Sequence, residues 1–170
     1  PHHALPDPNS RSATMNASLL AELCSRYQHW LFDDVVPFWL RYGRDRECGG
    51  YVTCLGRDGR PYEWNKLCMW NSGRTIWMFS HLCNEIGPNE AWLNMARCGI
   101  EFVLPHGFAP DGRMFYSLTR DGRPLEPPED VFTELFHVAG FAEYARATGD
   151  DGLAEQAWDV FLRVWQRMLE

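Results

Sequence analysis

Two pairs of residues have the type and spacing to do chemistry. In "KLCMWNSGR", Trp70 and Arg74 stand four apart; in "VFTELFH", Glu134 and His137 stand three apart. On a helix, either spacing puts both side chains on one face. Arginine brings a multi-donor cation that keeps its charge at any physiological pH. Glu-x-x-His also fits the ligand pattern of di-iron bundles, but such a site needs two copies and further Glu ligands. Only one copy is present, so no metal is expected. There is no Walker loop, no GxGxxG and no nucleophile elbow, which removes nucleotide hydrolysis and triad chemistry from consideration.

A second group of candidates sits in a repeat. "LGRDGRP" (55–61) returns as "LTRDGRP" (118–124), 63 residues later. Arg57, Asp58, Arg60, Arg120, Asp121 and Arg123 have the look of phosphate or acid binders, yet turn chemistry accounts for them more simply. Asp-Gly makes the bend, Pro61 and Pro124 set the exit, and the arginines are solvated flanks. The same offset carries Arg74 onto His137, which places the two at equivalent points of successive helices. A single His on an apolar helix is nonetheless more often a structural residue than a ligand.

The elements that must position these residues follow from the flanks. Leu20, Leu23, Tyr27, Trp30, Leu31 and Phe38 recur at helical spacing between Asn16 and Tyr42. A hairpin around Asp58-Gly59 comes next, then an almost wholly apolar helix over 66–86, stopped by Gly87-Pro88. The unit then repeats. A helix over 89–104 is closed by Pro105, a second hairpin turns at Asp121-Gly122, and Asp130 caps a helix carrying Val131, Leu135, Val138, Ala142 and Ala145. A further helix opens at Asp150 or Asp151 and carries Ala154, Ala157, Phe161, Val164 and Met168.

A helical hairpin every 60 or so residues is longer than the roughly 34 to 47 of TPR and HEAT repeats. It suits an all-α toroid in which the second helix of each pair lines the inside and the loops gather at one end. The charged residues Glu90, Arg97, Glu101, Glu155, Asp159, Arg163 and Arg167 then mark the wet outer helices. An ordinary helical bundle with two β-excursions is the alternative. Two and a half units cannot close a ring, so the expected layout is a flexible tail over 1–15 and an incomplete barrel over 16–170. Its open edge would expose Val164, Trp165 and Met168 and drive association.

Composition narrows the partners. The chain is 45% hydrophobic with eight Trp, enough for a core, and its formal charge of −7 is interspersed, so neither nucleic acid nor an anionic membrane surface is an expected partner. No apolar run is long enough to span a bilayer, and six Cys without a CxxC pair or secreted spacing suggest a reduced, cytoplasmic setting.

The stretch "FWLRYGRDRECGGYVTCLGRDGRPYEWNKLCMWNSGRTIWMFSHLCNEIG" (38–87), with "LTRDGRP" and "VFTELFHVAGFAEYARATGD" (131–150), resembles the N-acylglucosamine 2-epimerase family, which includes the renin-binding proteins and cellobiose 2-epimerases. The resemblance implies the N-terminal part of an (α/α)6 barrel and a cofactor-free reaction at C2 of a ring-opened sugar. It implies that Trp70 stacks on the sugar, that Arg74 binds the open-chain oxygens as a catalytic group, and that Glu134 approaches the pocket rim. His137 joins Glu134 by the internal repeat, and Tyr116 reaches over the mouth from the second hairpin. The family's two catalytic His belong to later helices, so this chain alone is expected to be inactive; a homodimer is compatible with the full-length protein. Many members read Gln-Gly-Arg where this chain has Ser72-Gly73-Arg74, which leaves the sugar open. A glycoside hydrolase on a similar toroid and a non-catalytic binding protein of the renin-binding type are the competing readings.

Overall fold

A computed structural model describes residues 8–170, with side chains from Asn16 onward. The chain forms two compact units, one up to Trp39 and one from Leu40. The first is a continuous helical rod: α1 (Pro8–His29), a π-helical turn (Trp30–Val35) and the start of α2 (Val36–Tyr42). Pro37 explains the widened turn, because it has no N–H to return to the carbonyl four residues earlier. Residues 1–7 of the expected tail, including His2 and His3, lie outside the described residues. Residues 8–15 of that stretch are helical, and proline in a first turn loses only an N–H that has no partner there.

The second unit alternates hairpins and helices. After α2 come β1 (Cys54–Leu55), β2 (Pro61–Glu63) and β3 (Leu67–Cys68), which runs into α3 (Met69–Glu85). Then follow α4 (Glu90–His106), β4 (Ser117–Leu118), β5 (Pro124–Glu126), α5 (Phe132–Thr148) and α6 (Asp151–Leu169). β1 pairs antiparallel with β2, while β3, β4 and β5 form a second antiparallel sheet that ties the two hairpin regions together. α3 and α5 have equal length and start 63 residues apart, so the repeat read from the turns extends to the helices.

The repeated turn has a steric basis. Gly59 and Gly122 have φ of 78° and 83°, in the left-handed region where a side chain is strained. Each also lies flat on the aromatic ring that ends the preceding helix: a Cβ would come 2.4 Å from Tyr42 at the first and 2.6 Å from His106 at the second. Both requirements, a positive φ and a ring-to-backbone contact, leave only glycine.

Helix ends follow their local chemistry. Asn89 Oδ1 accepts from the Ala91 and Trp92 amides to start α4, and Asp150 Oδ1 accepts from Leu153 N to start α6. Gly149 closes α5 at φ 73°. Pro105 does not stop α4, which runs one residue further to His106. Proline's own φ is helical, and so close to the C-terminus its missing N–H costs a single bond.

Three expectations about faces are corrected. On α5 the buried side chains are Thr133, Glu134, His137, Phe141, Tyr144 and Ala145, with Ala142 exposed and Leu135 and Val138 only part-buried. Polar and apolar residues are spread around that helix, so its own periodicity carried little direction; the approach of α3 chose the face. On α6, Leu153, Ala157, Val160 and Val164 are buried, whereas Ala154 and Met168 are exposed. Val164 is therefore core, although Trp165 and Met168 do stand open at 50% and 62% exposure.

α3 and α5 touch backbone to backbone. A Cβ on Gly73 would lie 2.7 Å from the carbonyl carbon of Phe136, and one on Gly140 would lie 2.8 Å from Gly73 O. Ile76, Phe79 and Phe141 close the interface without exposed surface. Gly73→Ala is expected to lower stability by about 2 kcal/mol, since the added methyl must push two helices apart. Gly152→Ala on the exposed first turn of α6 is expected to raise it by roughly 0.5 kcal/mol. Urea unfolding of both variants checks the contrast.

Candidate functional site

The α3–α5 contact builds a cleft of about 340 Å³ lined by Trp70, Arg74, Tyr116, Asp130, Phe132 and Phe136. Trp70 and Arg74 come from the first two turns of α3, Phe132 and Phe136 from the first two turns of α5. Tyr116 is fixed by main chain: its carbonyl accepts from Met69 N at 3.0 Å and its N–H donates to Pro127 O at 3.3 Å. Three of the five sequence candidates, Trp70, Arg74 and Tyr116, are thus brought together.

Arg74 is the cleft's central cation. Its guanidinium carbon lies 4.3 Å from the Trp70 ring centroid and 4.1 Å from that of Phe136, and it has no carboxylate partner among the described residues. Cation–π contacts hold the side chain without consuming its donors. A second, almost wholly apolar hollow of about 460 Å³ shares Arg74 and Phe136 and continues past Trp77, Met78 and Ala139.

The rim carries its own charges. Lys66 Nζ lies 2.7 Å from Glu126 and 5.8 Å from the Tyr116 ring centroid, and Ser117 Oγ donates to Glu126 at 2.6 Å. The Lys66 and Ser117 hydrogen bonds hold the Glu126 carboxyl below the usual range. Cys68 and burial raise the Tyr116 phenol, so it stays protonated and able to donate. Asp130 Oδ1 accepts from Phe132 N at 2.9 Å, but the N-cap of α5 is Val131, one residue later than the sequence suggests, and it has no side-chain cap.

Glu134 and His137 point elsewhere and are not among the cleft's lining residues. Glu134 is 2% exposed, and one guanidinium nitrogen of Arg167 on α6 donates to both its oxygens at 2.6 Å. Burial pushes this carboxyl up and Arg167 pulls against it. Arg167 is thereby corrected from a wet-face residue to a half-buried partner. His137 occupies the repeat position of Arg74, yet Arg74 is exposed and His137 fully buried. The two helices share a register but not neighbours, since each buries the flank it turns to the other. His137 Nδ1 donates to Thr133 O at 2.8 Å, and Nε2 has no hydrogen-bond partner among the described residues. Burial depresses its pKa to about 4.

His81, Glu85 and Glu143 place ligand atoms within 4.8 Å of one another. Arg146 already bonds Glu85 and Glu143, at 2.7 and 2.8 Å, and supplies the positive charge a metal would bring.

Residues 50–170 match the family model for N-acylglucosamine 2-epimerase. The chain belongs to the N-acylglucosamine 2-epimerase family. It is 36% identical over 141 residues to the N-acylglucosamine 2-epimerase of Bos taurus, covering 79% of this chain and 33% of that protein. It is 40% identical over 122 residues to the human enzyme of that name, covering 69% and 28%. Among solved structures, the cellobiose 2-epimerase of Spirochaeta thermophila superposes with a TM-score of 0.80 at 27% identity, over 88% of this chain and 37% of the other. The chain spans about one third of the length of the curated relatives it matches. Among the described residues, no helix is long and apolar enough to cross a membrane.

Sequence reading missed Asp130, Phe132 and Phe136 as lining residues of this family member's cleft. For Phe136 a signal was present, since the 63-residue offset pairs it with Gly73, beside Arg74.

The His137 arrangement has a pH signature. The folded protein holds a base near pKa 4 that is near 6.5 when unfolded, so the unfolded chain binds more protons between those values. Stability is expected to be fully present above pH 6.5 and to fall by about 3 kcal/mol as pH drops to 4. Chemical denaturation across that range should show a shallower slope in His137→Leu than in the unaltered chain.

Proposed function

We propose that this chain forms about a third of an (α/α)6 barrel and supplies the substrate-binding cleft of a sugar 2-epimerase or aldose–ketose isomerase. The observation that carries the reading is Arg74: an exposed guanidinium against two aromatic rings with no carboxylate partner among the described residues. Such a group is preorganised for an oxygen that becomes negative during reaction.

In the proposed reaction, a base removes the proton from C2 of the open-chain sugar; the C2–H electron pair forms a C1=C2 double bond and the carbonyl π pair moves onto its oxygen, giving an enolate, which is an enediolate where C2 carries a hydroxyl. Arg74 bonds the developing oxyanion. Reprotonation of C2 from the opposite face gives the epimer; protonation at C1, with the C2 hydroxyl becoming the carbonyl, gives the ketose. Trp70 presents its face to the sugar's C–H surface, and the protonated Tyr116 donates from the rim. The resemblance assigns the acid and base to two His of later helices, so the chain alone is proposed to be inactive. The proposed small-molecule substrate is N-acetylglucosamine, N-acetylmannosamine or a related aldose, a class suggested by the relatives being N-acylglucosamine and cellobiose 2-epimerases.

A glycoside hydrolase needs a carboxylic acid and a carboxylate flanking the bond. Glu134 is committed to Arg167, which leaves Asp130 as the only carboxylate among the cleft's lining residues. The match to N-acylglucosamine and cellobiose 2-epimerases supports the epimerase.

The test is deuterium uptake at C2 in D2O with N-acetylmannosamine, N-acetylglucosamine, mannose and cellobiose, using this chain beside a version extended to the length of the relatives. Exchange by the extended protein alone is expected; exchange by the 170-residue chain would place the base within it. Arg74→Lys in the extended protein is expected to lower kcat about 10²- to 10³-fold. Trp70→Ala should act mainly on KM. An Arg74→Lys variant with undiminished turnover would sink the assignment.

A further inference from the structure

Arg57 and Arg120 occupy the same place in the two repeated turns, but only one behaves as a solvated flank. Arg57 is exposed and enters no ion pair among the described residues. Arg120 turns inward and joins three separate segments. Its Nε and Nη2 donate to the two oxygens of Asp45, Nη2 at 3.0 Å, and Nη2 also reaches Glu47 at 2.6 Å. Its guanidinium carbon lies 4.3 Å from the Trp64 ring centroid, on the stretch between β2 and β3.

The receiving end is built. The Asp45 side chain is 3% exposed, and its Oδ1 also accepts from Glu47 N at 2.9 Å and Cys48 N at 3.1 Å, so the 45–48 loop is wound around the carboxylate. Burial opposes the charge, but Arg120 and the two amides hold this carboxyl below its usual value. A forked guanidinium on a buried carboxylate fixes direction as well as distance, which an ammonium cannot do.

From this clamp the path to the cleft is short. Arg120 stands two residues beyond β4, β4 pairs with β3 through Leu118–Leu67 and Ser117–Cys68, and the next bond is Met69 N to Tyr116 O. Trp70 follows Met69 directly. We infer that Arg120 is a positioning residue for the cleft: by pinning the second hairpin to the Asp45 loop and Trp64, it sets where Tyr116 stands relative to Trp70. The inference rests on reading the cleft as a sugar site, and its test separates the two.

In the 170-residue chain, hydrogen exchange at the Met69 and Tyr116 amides reads the clamp without any sugar. Arg120→Ala, Arg120→Lys and Asp45→Asn are expected to speed both amides about tenfold, while Ala96 and Val103 in α4 keep their protection. Arg57→Ala should change none of them. Unchanged Met69 and Tyr116 amides, or loss of protection spread equally into α4, would overturn the inference. In the barrel-length version, the same Arg120 variants are expected to raise KM about tenfold with kcat within twofold. A KM that stays put while Arg74→Lys abolishes turnover also overturns it; if Arg74→Lys leaves turnover intact, the sugar reading fails and the amides alone decide whether the clamp exists.

Discussion

The site depends on one contact, the approach of α3 and α5 at Gly73 and Gly140. Two helices that meet through glycines bring their main chains within van der Waals distance, and no side chain separates them. Residues beside the contact are then forced into a shared surface: Arg74 follows Gly73 directly, and Phe136 is the residue whose backbone Gly73 touches. A larger residue at 73 would widen the gap and lift Phe136 off the Arg74 guanidinium. The cleft is a consequence of close packing, not of a loop folded over a surface.

Below that contact, α5 separates two kinds of polar residue. One flank carries aromatic groups that open on the cleft; the other buries Thr133, Glu134 and His137. Glu134 remains tolerable in the interior because Arg167 reaches it from α6, and one partner removed would leave the other charge uncompensated. His137 remains tolerable because it is neutral and bonded to the carbonyl one turn back. These residues fasten α5 to its surroundings and make the two ends of the pH range unequal for stability.

The hairpins show how one sequence motif takes two roles. Both copies have the same steric core, a left-handed glycine pressed on the ring that closes the previous helix. They differ in what lies within reach of the arginine two residues earlier. Arg120 meets a buried carboxylate wound into a loop and a tryptophan face; Arg57 meets solvent. Identical local chemistry therefore produces a clamp in one repeat and a flank in the other.

Local codes were legible in the sequence because they act over a few residues. Asp-Gly dictates a tight bend, Asn89 and Asp150 start helices, and a spacing of four puts Trp70 and Arg74 on one face; the family was legible as a resemblance carried by the stretches 38–87, 118–124 and 131–150. Tertiary structure alone decided which face of α5 is buried, because a helix whose polar and apolar residues are mixed around its circumference has no preferred inward direction until a neighbour arrives. It decided that Arg120 and Arg167 are partnered, since the carboxylates that hold them lie 75 and 33 residues away in the chain. It also decided that Arg74 and His137, equivalent by repeat, differ in exposure: register is a property of the chain, but burial is set by what packs against each flank.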